Sequence, residues 1–268
     1  MTKLKNVILL GRKPGAAQAL SWLVERGVNV KLVVASPNED RQGSQPNLED
    51  VASRSGVPLL FDDAELYKLI DSKDPNLSDI DLVISYLFWK RIKQPLIQLG
   101  SVGCINFHPA PLPDYKSRAG YNTAILDNRT EFGVSAHFIN SEEFDAGPII
   151  QVLRFPMDPG IETALSLERK SQEKLFELFK DVLQLFLADA SIKTMPNAGG
   201  SYLTSKQLEE LKKIDLTRDS AADVNRKIRA FFFPPYSGAK IIIDGQDFTL
   251  INNQILEWVA SLIKNAGS

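Results

Sequence analysis

Asn106, His108 and Asp145 have the side-chain types and positions expected of an acyl-transfer site. Asn106 and His108 stand two residues apart at the end of an apolar run, so an extended strand turns both side chains to the same face. Open α/β sheets place their ligands at the carboxyl ends of the strands. Asp145 follows a later alternating stretch and precedes a glycine turn. We therefore predict that the three side chains meet in one crevice.

Each of the three residues fits a step of acyl transfer to an amine. The Asn106 amide can donate to a developing oxyanion. The His108 imidazole can exchange protons with an amine or stabilise the same oxyanion, and Asp145 can orient that imidazole and help to move protons. The nucleophile would be the substrate's own amine, because the chain has neither a G-x-S-x-G motif nor a reactive-cysteine signature. Spacing alone leaves open that His108 is a structural histidine at a strand end.

A repeated strand and helix pattern in residues 1–190 predicts the frame that positions these residues. Strand-like apolar runs occur at 7–10, 28–35, 57–61, 81–86, 103–107 and 133–139. Helix-like spacing occurs at 16–24, 48–55, 91–99, 120–126 and, as the longest signal, 162–188. This alternation favours an α/β fold with a doubly wound, mostly parallel sheet.

The sequence pattern changes after residue 190. A connector with proline and glycine, KTMPNAGGSY, is followed by helix-like stretches at 206–214 and 222–231. Two β-like stretches, 240–243 and 248–251, flank Asp244-Gly245, which is a strong hairpin turn signal. We predict a small C-terminal module with a β-hairpin at residues 191–268.

The amino-acid composition of the chain argues against several classes of function. The formal net charge of −2 gives no basic field that would draw the chain to nucleic acid or anionic lipid. The single cysteine excludes an internal disulfide framework and a thiolate zinc cluster. No segment approaches the roughly 20 apolar residues that span a bilayer, and the first apolar run is too short for a signal peptide. We expect a cytoplasmic protein that binds no metal, no nucleic acid and no membrane.

The combined motif resembles the N10-formyltetrahydrofolate-dependent formyltransferases. The resemblance is carried by Asn106-x-His108-Pro109, by the LP loop that follows, and by Asp145-x-Gly147. In that superfamily the matching Asn, His and Asp are catalytic and lie on a Rossmann-like formyltransferase domain. The resemblance therefore implies a formyl group, N10-formyltetrahydrofolate as co-substrate and no metal.

Further stretches are most similar to the nucleotide-sugar N-formyltransferases. They are SYLF at 85–88, NFHPAPLPDY at 106–115, GYN at 120–122 and RKIRAFFFPPYSGA at 226–239. This similarity implies a nucleotide-linked amino-deoxy sugar, of the dTDP type, as acceptor, a product for O-antigen, lipopolysaccharide or another surface glycan, and a homodimer. Many relatives continue the LP loop with Tyr-Arg-Gly, whereas this chain has Tyr-Lys-Ser-Arg at 115–118.

The same resemblance implies the ligand contacts. The pterin is expected against the backbone of two segments, which gives the cofactor-binding residues Leu87, Phe88, Trp89, Lys90, Ile139, Asn140 and Phe144. The residues expected at the sugar nucleotide are Tyr115, Lys116, Arg118, Tyr121, Phe233 and Tyr236, and the basic side chains Arg226 and Arg229 could also meet a diphosphate.

Several alternatives stay open at this point. His137, the only other histidine, can point into the site or bond to a neighbour. The aromatic run 231–233 and Tyr236 can stack on a base or form a hydrophobic plug between modules. Rival activities are methionyl-tRNA formyltransferase, glycinamide ribonucleotide transformylase and a folate hydrolase. A ligand-sensing module on a Rossmann-like fold is the non-enzymatic alternative.

Overall fold

The computed structural model describes residues 4–36 and 47–266. The strands are β1 (Asn6–Gly11), β2 (Asn29–Ala35), β3 (Leu59–Leu60), β4 (Leu82–Tyr86), β5 (Gly103–His108), β6 (Tyr115–Lys116), β7 (Glu131–Phe138), β8 (Ile149–Pro156), β9 (Ser201–Tyr202), β10 (Lys240–Ile243) and β11 (Gln246–Thr249). The helices are α1 (Lys13–Glu25), α2 (Leu48–Arg54), α3 (Asp63–Asp71), α4 (Gly120–Leu126), α5 (Ala164–Leu187), α6 (Ser205–Leu211), α7 (Ala221–Phe231) and α8 (Asn253–Ala266).

The central feature of the described residues is a seven-stranded sheet with the order β3-β2-β1-β4-β5-β7-β8. Strands β1 to β5 pair in parallel, and β7 pairs antiparallel with β5. β1 and β4 are buried on both faces, which explains why their sequences are continuous apolar runs. The predicted α/β fold with a mostly parallel sheet is confirmed.

The two faces of the sheet are covered by different kinds of side chain. One face packs on an aliphatic cluster that includes Val83 and Cys104, and Phe88 and Ile139 pack against the same cluster. On the other face, Phe179 of α5 contacts the rings of Trp22, Tyr86 and Phe107, at centroid distances of 5.7, 5.8 and 5.0 Å. Side chains of β4 and β5 therefore alternate between an aliphatic and an aromatic layer.

One element prediction is wrong. The helix predicted at 91–99 is absent, and a short 3-10 helix at Leu96–Gln98 is all that forms in that stretch. Pro95 disfavours the helical region for Gln94, which breaks the apparent helical spacing. The structure also contains α3, β8 and α8, which were not predicted. The second hairpin strand, predicted at 248–251, is β11 at Gln246–Thr249.

The chain folds as two compact units. The first contains the described residues of 1–116, 133–154 and 171–201, and the second contains 117–132, 155–170 and the described residues of 202–268. The second unit thus gathers two earlier segments with the C-terminal part, and the predicted division after residue 190 stays a prediction.

The second unit contains the predicted hairpin. β10 and β11 pair antiparallel around Asp244 and Gly245, whose φ angles are 50° and 80°. Two positive φ angles in a two-residue loop match the right-handed twist of the strands. No described helix has the length and apolar content needed to cross a bilayer.

Candidate active site

Three polar residues form a row across adjacent strands of the sheet. Ser85 on β4 is the register partner of Asn106 on β5, and Asn106 is the partner of His137 on β7. Because Val83 and Cys104 face the aliphatic layer, the two-residue period turns Ser85 and Asn106 to that same face, at the carboxyl ends of β4 and β5. Ligands of open α/β sheets bind at this end.

Ser85 fixes the orientation of the Asn106 amide. The buried Ser85 hydroxyl donates to Asn106 Oδ1 at 2.7 Å. The amide nitrogen consequently faces the other way, 3.1 Å from His137 Nε2 and 3.2 Å from Asp145 Oδ1. Asn106 is half-buried. The donor end of this amide is therefore directed into the candidate site, as stabilisation of an oxyanion requires.

Asp145 places one carboxylate between two imidazoles. Its Oδ1 lies 3.3 Å from His137 Nε2, and its Oδ2 lies 3.5 Å from His108 Nδ1. Asp145 is buried and has a φ of 50°, a left-handed conformation that aspartate tolerates better than most residues. A buried carboxylate needs charged or hydrogen-bonding partners, and here the partners are groups that can carry protons.

His108 uses both ring nitrogens on protein atoms. Nε2 donates to the carbonyl oxygen of Tyr115 at 2.9 Å, Nδ1 faces Asp145, and the residue is 4% exposed. In this arrangement the His108 ring contacts the Asp145 carboxylate and the Tyr115 carbonyl. Direct donation from His108 Nε2 to a substrate oxyanion requires the bond to Tyr115 to break. The role that the sequence suggested for His108 at the oxyanion stays a prediction.

Residues that sequence reasoning missed hold the site in place. Ser135 is fully buried, accepts from the Leu112 N–H and donates to the Ala110 carbonyl, both at 2.8 Å, so it anchors the loop that follows His108. Asn197 donates to two carbonyl groups of the Asp145 loop. Strand register would have revealed Ser85 and Ser135, whereas no local signal marks Asn197.

The first predicted cofactor segment is a loop after β4. Leu87 has a φ of 57°, and its carbonyl accepts from Arg12 Nε at 2.9 Å. The rings of Phe88 and Trp89 contact each other at a centroid distance of 4.5 Å. The Lys90 ammonium pairs with Asp62 and Asp63 at 2.9 and 2.5 Å. The Lys90 ammonium therefore binds the two aspartates at the start of α3.

The second predicted cofactor segment follows β7. The Ile139 N–H donates to the Cys104 carbonyl at 2.7 Å, and its side chain packs on the same cluster as Phe88. Asn140 is exposed, and the Phe144 ring is 39% exposed with the Arg91 guanidinium 4.9 Å from its centroid. The shared cluster brings residues 88 and 139 of the two segments together.

The predicted substrate contacts lie in both units. In the first unit Tyr115 is buried, and Lys116 Nζ donates to the Asn197 carbonyl at 3.4 Å. In the second unit Arg118 is exposed, and the Tyr121 ring lies 5.7 Å from the Phe132 ring.

The aromatic run of the second unit has two environments. Phe231 is buried, and Phe232 makes an edge-on contact with Trp258 at 5.7 Å. Phe233 lies 5.8 Å from Tyr236, and Tyr236 is 71% exposed. Phe231 and Phe232 therefore pack inside this unit, and the Tyr236 ring is left available to a ligand.

Both arginines of α7 have structural partners. Arg226 pairs with Asp223 at 3.0 Å. Arg229 is buried, donates to the carbonyls of Pro159 and Glu162, and has a pKa lowered by that burial. The Arg229 guanidinium therefore stabilises the turn before α5.

Comparison with known proteins assigns the family. The family model described as formyl transferase matches residues 8–183, a range that begins within β1, ends within α5 and contains Asn106, His108 and Asp145. The chain belongs to the formyl transferase family, and it is an enzyme that transfers formyl groups.

Relatives with different acceptors are similar to the chain. It is 28% identical over 256 residues to the methionyl-tRNA formyltransferase of Thermotoga neapolitana, covering 91% of this chain and 78% of that protein. It is 28% identical over 247 residues to the GDP-perosamine N-formyltransferase of Brucella melitensis, covering 90% of both. An N-formyltransferase from Helicobacter canadensis, solved with folinic acid and dTDP-3-aminofucose, superposes with a TM-score of 0.71 at 20% identity, covering 91% of this chain and 86% of that one.

Proposed function

We propose that the protein is a sugar N-formyltransferase, which moves the formyl group of N10-formyltetrahydrofolate to the amine of a nucleotide-linked amino-deoxy sugar. The observation that carries the chemistry is the contact of the single Asp145 carboxylate with Asn106, His108 and His137. The cluster combines an oriented amide donor with a carboxylate and imidazoles that can relay protons. The reaction needs these groups at one point.

The proposed reaction forms one carbon–nitrogen bond and breaks another. The neutral substrate amine attacks the formyl carbon, and the carbonyl oxygen becomes an oxyanion that Asn106 Nδ2 stabilises. Asp145, supported by His108 and His137, accepts a proton from the attacking nitrogen and returns it to the leaving N10 nitrogen. The products are the N-formyl sugar and tetrahydrofolate, and no proton is gained or lost overall.

The two loops around the aliphatic cluster are compatible with a pterin. A pterin needs paired donors and acceptors, which main chain supplies. The main chain of Leu87 is held in a left-handed conformation by Arg12, and Phe88 and Ile139 share one packing surface. We assign the pterin to residues 87–90 and 139–144 and the formyl group to the neighbourhood of Asn106.

The acceptor is assigned from similarity to relatives and not from Asn106, His108 and Asp145. The relative from Brucella melitensis is a GDP-perosamine N-formyltransferase that matches 90% of both chains, and the exposed Tyr236 ring provides a stacking face for a base. We assign the sugar nucleotide to Tyr115, Lys116, Arg118, Tyr121, Phe233 and Tyr236. We propose dTDP as the nucleotide because the N-formyltransferase of Helicobacter canadensis was solved with dTDP-3-aminofucose. We further propose that the enzyme acts as a cytoplasmic homodimer in the synthesis of a surface glycan such as an O-antigen.

Methionyl-tRNA formyltransferase is the second candidate, since a relative of that function has the same 28% identity. One assay separates the two. The protein is incubated with N10-formyltetrahydrofolate and, in separate reactions, with dTDP-, GDP- and UDP-linked amino sugars or charged initiator methionyl-tRNA. A gain of one formyl mass on a sugar nucleotide supports the proposal. Formylation of the tRNA alone, or release of formate without any acceptor, contradicts it.

Single substitutions test the assigned chemistry. We expect His108→Ala and Asp145→Ala each to lower kcat by about 100-fold or more, with the circular dichroism spectrum unchanged. Asn6→Ala is a suitable control because Asn6 bonds to Asp79 at the opposite ends of the strands. Full activity in either site variant would remove the catalytic assignment.

A further inference from the structure

A short segment after α5 touches both loops that carry the candidate catalytic groups. We call residues 195–201 the strap, and all seven belong to the first unit. At its start, Met195 exchanges two main-chain hydrogen bonds with Ile149, at 2.8 and 2.9 Å. At its end, Ser201 bonds to Asp114. The strap therefore joins the segment after Asp145 to the loop after His108.

The middle of the strap clamps the Asp145 loop. Asn197 Nδ2 donates to the carbonyl of Asp145 and to the carbonyl of Gly147, each at 2.8 Å. Asp145 holds a φ of 50°, which costs energy that the surroundings must supply. The backbone at Gly147 accepts no larger residue, since an added Cβ would lie 1.8 Å from the Phe138 carbonyl oxygen. Two donors from one amide thus fix the turn that aims the Asp145 carboxylate.

The far end of the strap holds the loop that orients His108. The Ser201 N–H and hydroxyl donate to the Asp114 carbonyl at 2.9 and 3.0 Å. Gly200 has a φ of 84°, and an added Cβ would lie 1.6 Å from the Pro113 carbonyl oxygen. Tyr115 follows Asp114 in that loop, and its carbonyl oxygen accepts the hydrogen bond from His108 Nε2.

We infer that the strap is a positioning device that sets the distance between His108 and Asp145, with Asn197 as its key residue. The two groups reach each other at 3.5 Å from loops whose backbones are tied to the same seven residues. A shift of the strap changes the Asp145 turn and the Tyr115 carbonyl together. This inference rests on the catalytic roles proposed for His108 and Asp145.

The test substitutes Asn197 and measures both rate and imidazole geometry. Asn197→Ala removes the two donors, and Asn197→Leu removes them while keeping the bulk. Because a displacement of about 1 Å can cost about 100-fold in rate, we expect both variants to lower kcat about 10- to 100-fold with the KM values for both substrates within about twofold. The ¹⁵N signals of His108 should shift in both, and they can be assigned because the chain has two histidines.

Asn6→Ala is the matched control, since it also removes an amide that donates twice to one loop. It should leave kcat and the imidazole signals unchanged. A kcat near the native value in folded Asn197→Ala overturns the inference, as does native activity in Asn197→Leu or a rate loss with unchanged His108 signals. If His108→Ala and Asp145→Ala are themselves fully active, the proposed function fails instead.

Gly200→Ala tests the other end of the strap. Its Cβ would displace the strap from Pro113, and we expect the same loss of kcat and the same shift of the His108 signals. A folded Gly200→Ala variant with native kcat contradicts the inference. If this variant does not fold, the two Asn197 variants decide the question.

Discussion

His137 Nε2 lies 3.3 Å from Asp145 Oδ1, while His137 Nδ1 lies 2.8 Å from the carbonyl oxygen of Phe138. A carbonyl can only accept, so Nδ1 is the donor to Phe138. Asn106 Nδ2 lies 3.1 Å from His137 Nε2 and can only donate, so Nε2 is the acceptor of that bond. Both Nε2 of His137 and Oδ1 of Asp145 therefore accept from the same amide group, which bridges the two side chains.

The first prediction concerns the tautomer of His137. We expect the ¹⁵N chemical shifts of the neutral ring to show a hydrogen on Nδ1 and none on Nε2, because Nδ1 donates to Phe138 and Nε2 accepts from Asn106. Asn106→Ala removes the donor to Nε2, so the Nε2 signal should move. An unchanged Nε2 signal in that variant, or a hydrogen on Nε2 of the neutral ring, would contradict the assignment.

The second prediction concerns Ser85. In Ser85→Ala the Asn106 amide loses the hydroxyl that fixes its orientation. A lost hydrogen bond of about 1 to 1.5 kcal/mol corresponds to about a tenfold decrease in kcat. Combined with Asn106→Ala, the substitution should cause no further loss, since both act through one amide. Ser78→Ala, which removes a turn hydrogen bond to Pro75, is the control. Additive losses in the double variant would show that Ser85 acts independently of Asn106.

The third prediction separates main chain from side chain in the folate loop. The Lys90 ammonium pairs with Asp62 and Asp63. The pKa of Asp62 is held well below its usual range, mainly by a hydrogen bond from the Ala64 backbone N–H and next by the hydrogen bond from Lys90. The pair with Asp62 is exposed and contributes little to stability, whereas Asp63 is buried. Lys90→Met should leave the KM for N10-formyltetrahydrofolate within about twofold, and it should lower the thermal midpoint because the buried Asp63 loses an ion partner.

Arg12→Met is the contrasting variant on the same loop. It removes the hydrogen bond to the Leu87 carbonyl and should raise the KM for the folate about fivefold, in proportion to one hydrogen bond. Steady-state kinetics with varied folate measures both effects. A large KM increase in Lys90→Met would place the Lys90 side chain, and not its backbone, against the folate.

The fourth prediction concerns the single thiol. Burial raises the pKa of Cys104 to about 12, so the folded protein keeps a neutral thiol at pH 9. An unfolded chain has an ordinary thiol and ionises first, so the free energy of unfolding should decrease as the pH rises from about 8.5 toward 12. Alkylation by iodoacetamide at pH 9 should be slow in buffer and fast in denaturant. Rapid alkylation of the native protein would contradict the burial, and Cys104→Ala should lose this part of the pH dependence.

Short-range periodicity accounts for what the sequence predicted correctly. Asn106 and His108 share a face because side chains of a strand alternate with period two. The apolar runs of β1 and β4 identify buried parallel strands because both faces of such strands are covered. The hairpin turn at Asp244 and Gly245 follows from residue types that tolerate positive φ. These features depend on a few neighbouring residues, and a single sequence contains them.

Features that depend on the path of the chain were out of reach. The role of His137 stayed open because its register against Asn106 decides whether it enters the site. Asn197 reaches the Asp145 carbonyl across 52 positions of sequence, which no local pattern encodes. The helix predicted at 91–99 does not form because Pro95 disfavours a helical conformation at Gln94, whatever the spacing of the apolar residues.

The row of Ser85, Asn106 and His137 has a consequence for inactivation by heat. The relative positions of these residues are set by the main-chain ladders that join β4, β5 and β7. Those ladders break only when the central sheet unfolds. The row should consequently keep its geometry up to that temperature, so a loss of activity at a lower temperature would arise in the loop that carries Asp145 or in the strap that holds it.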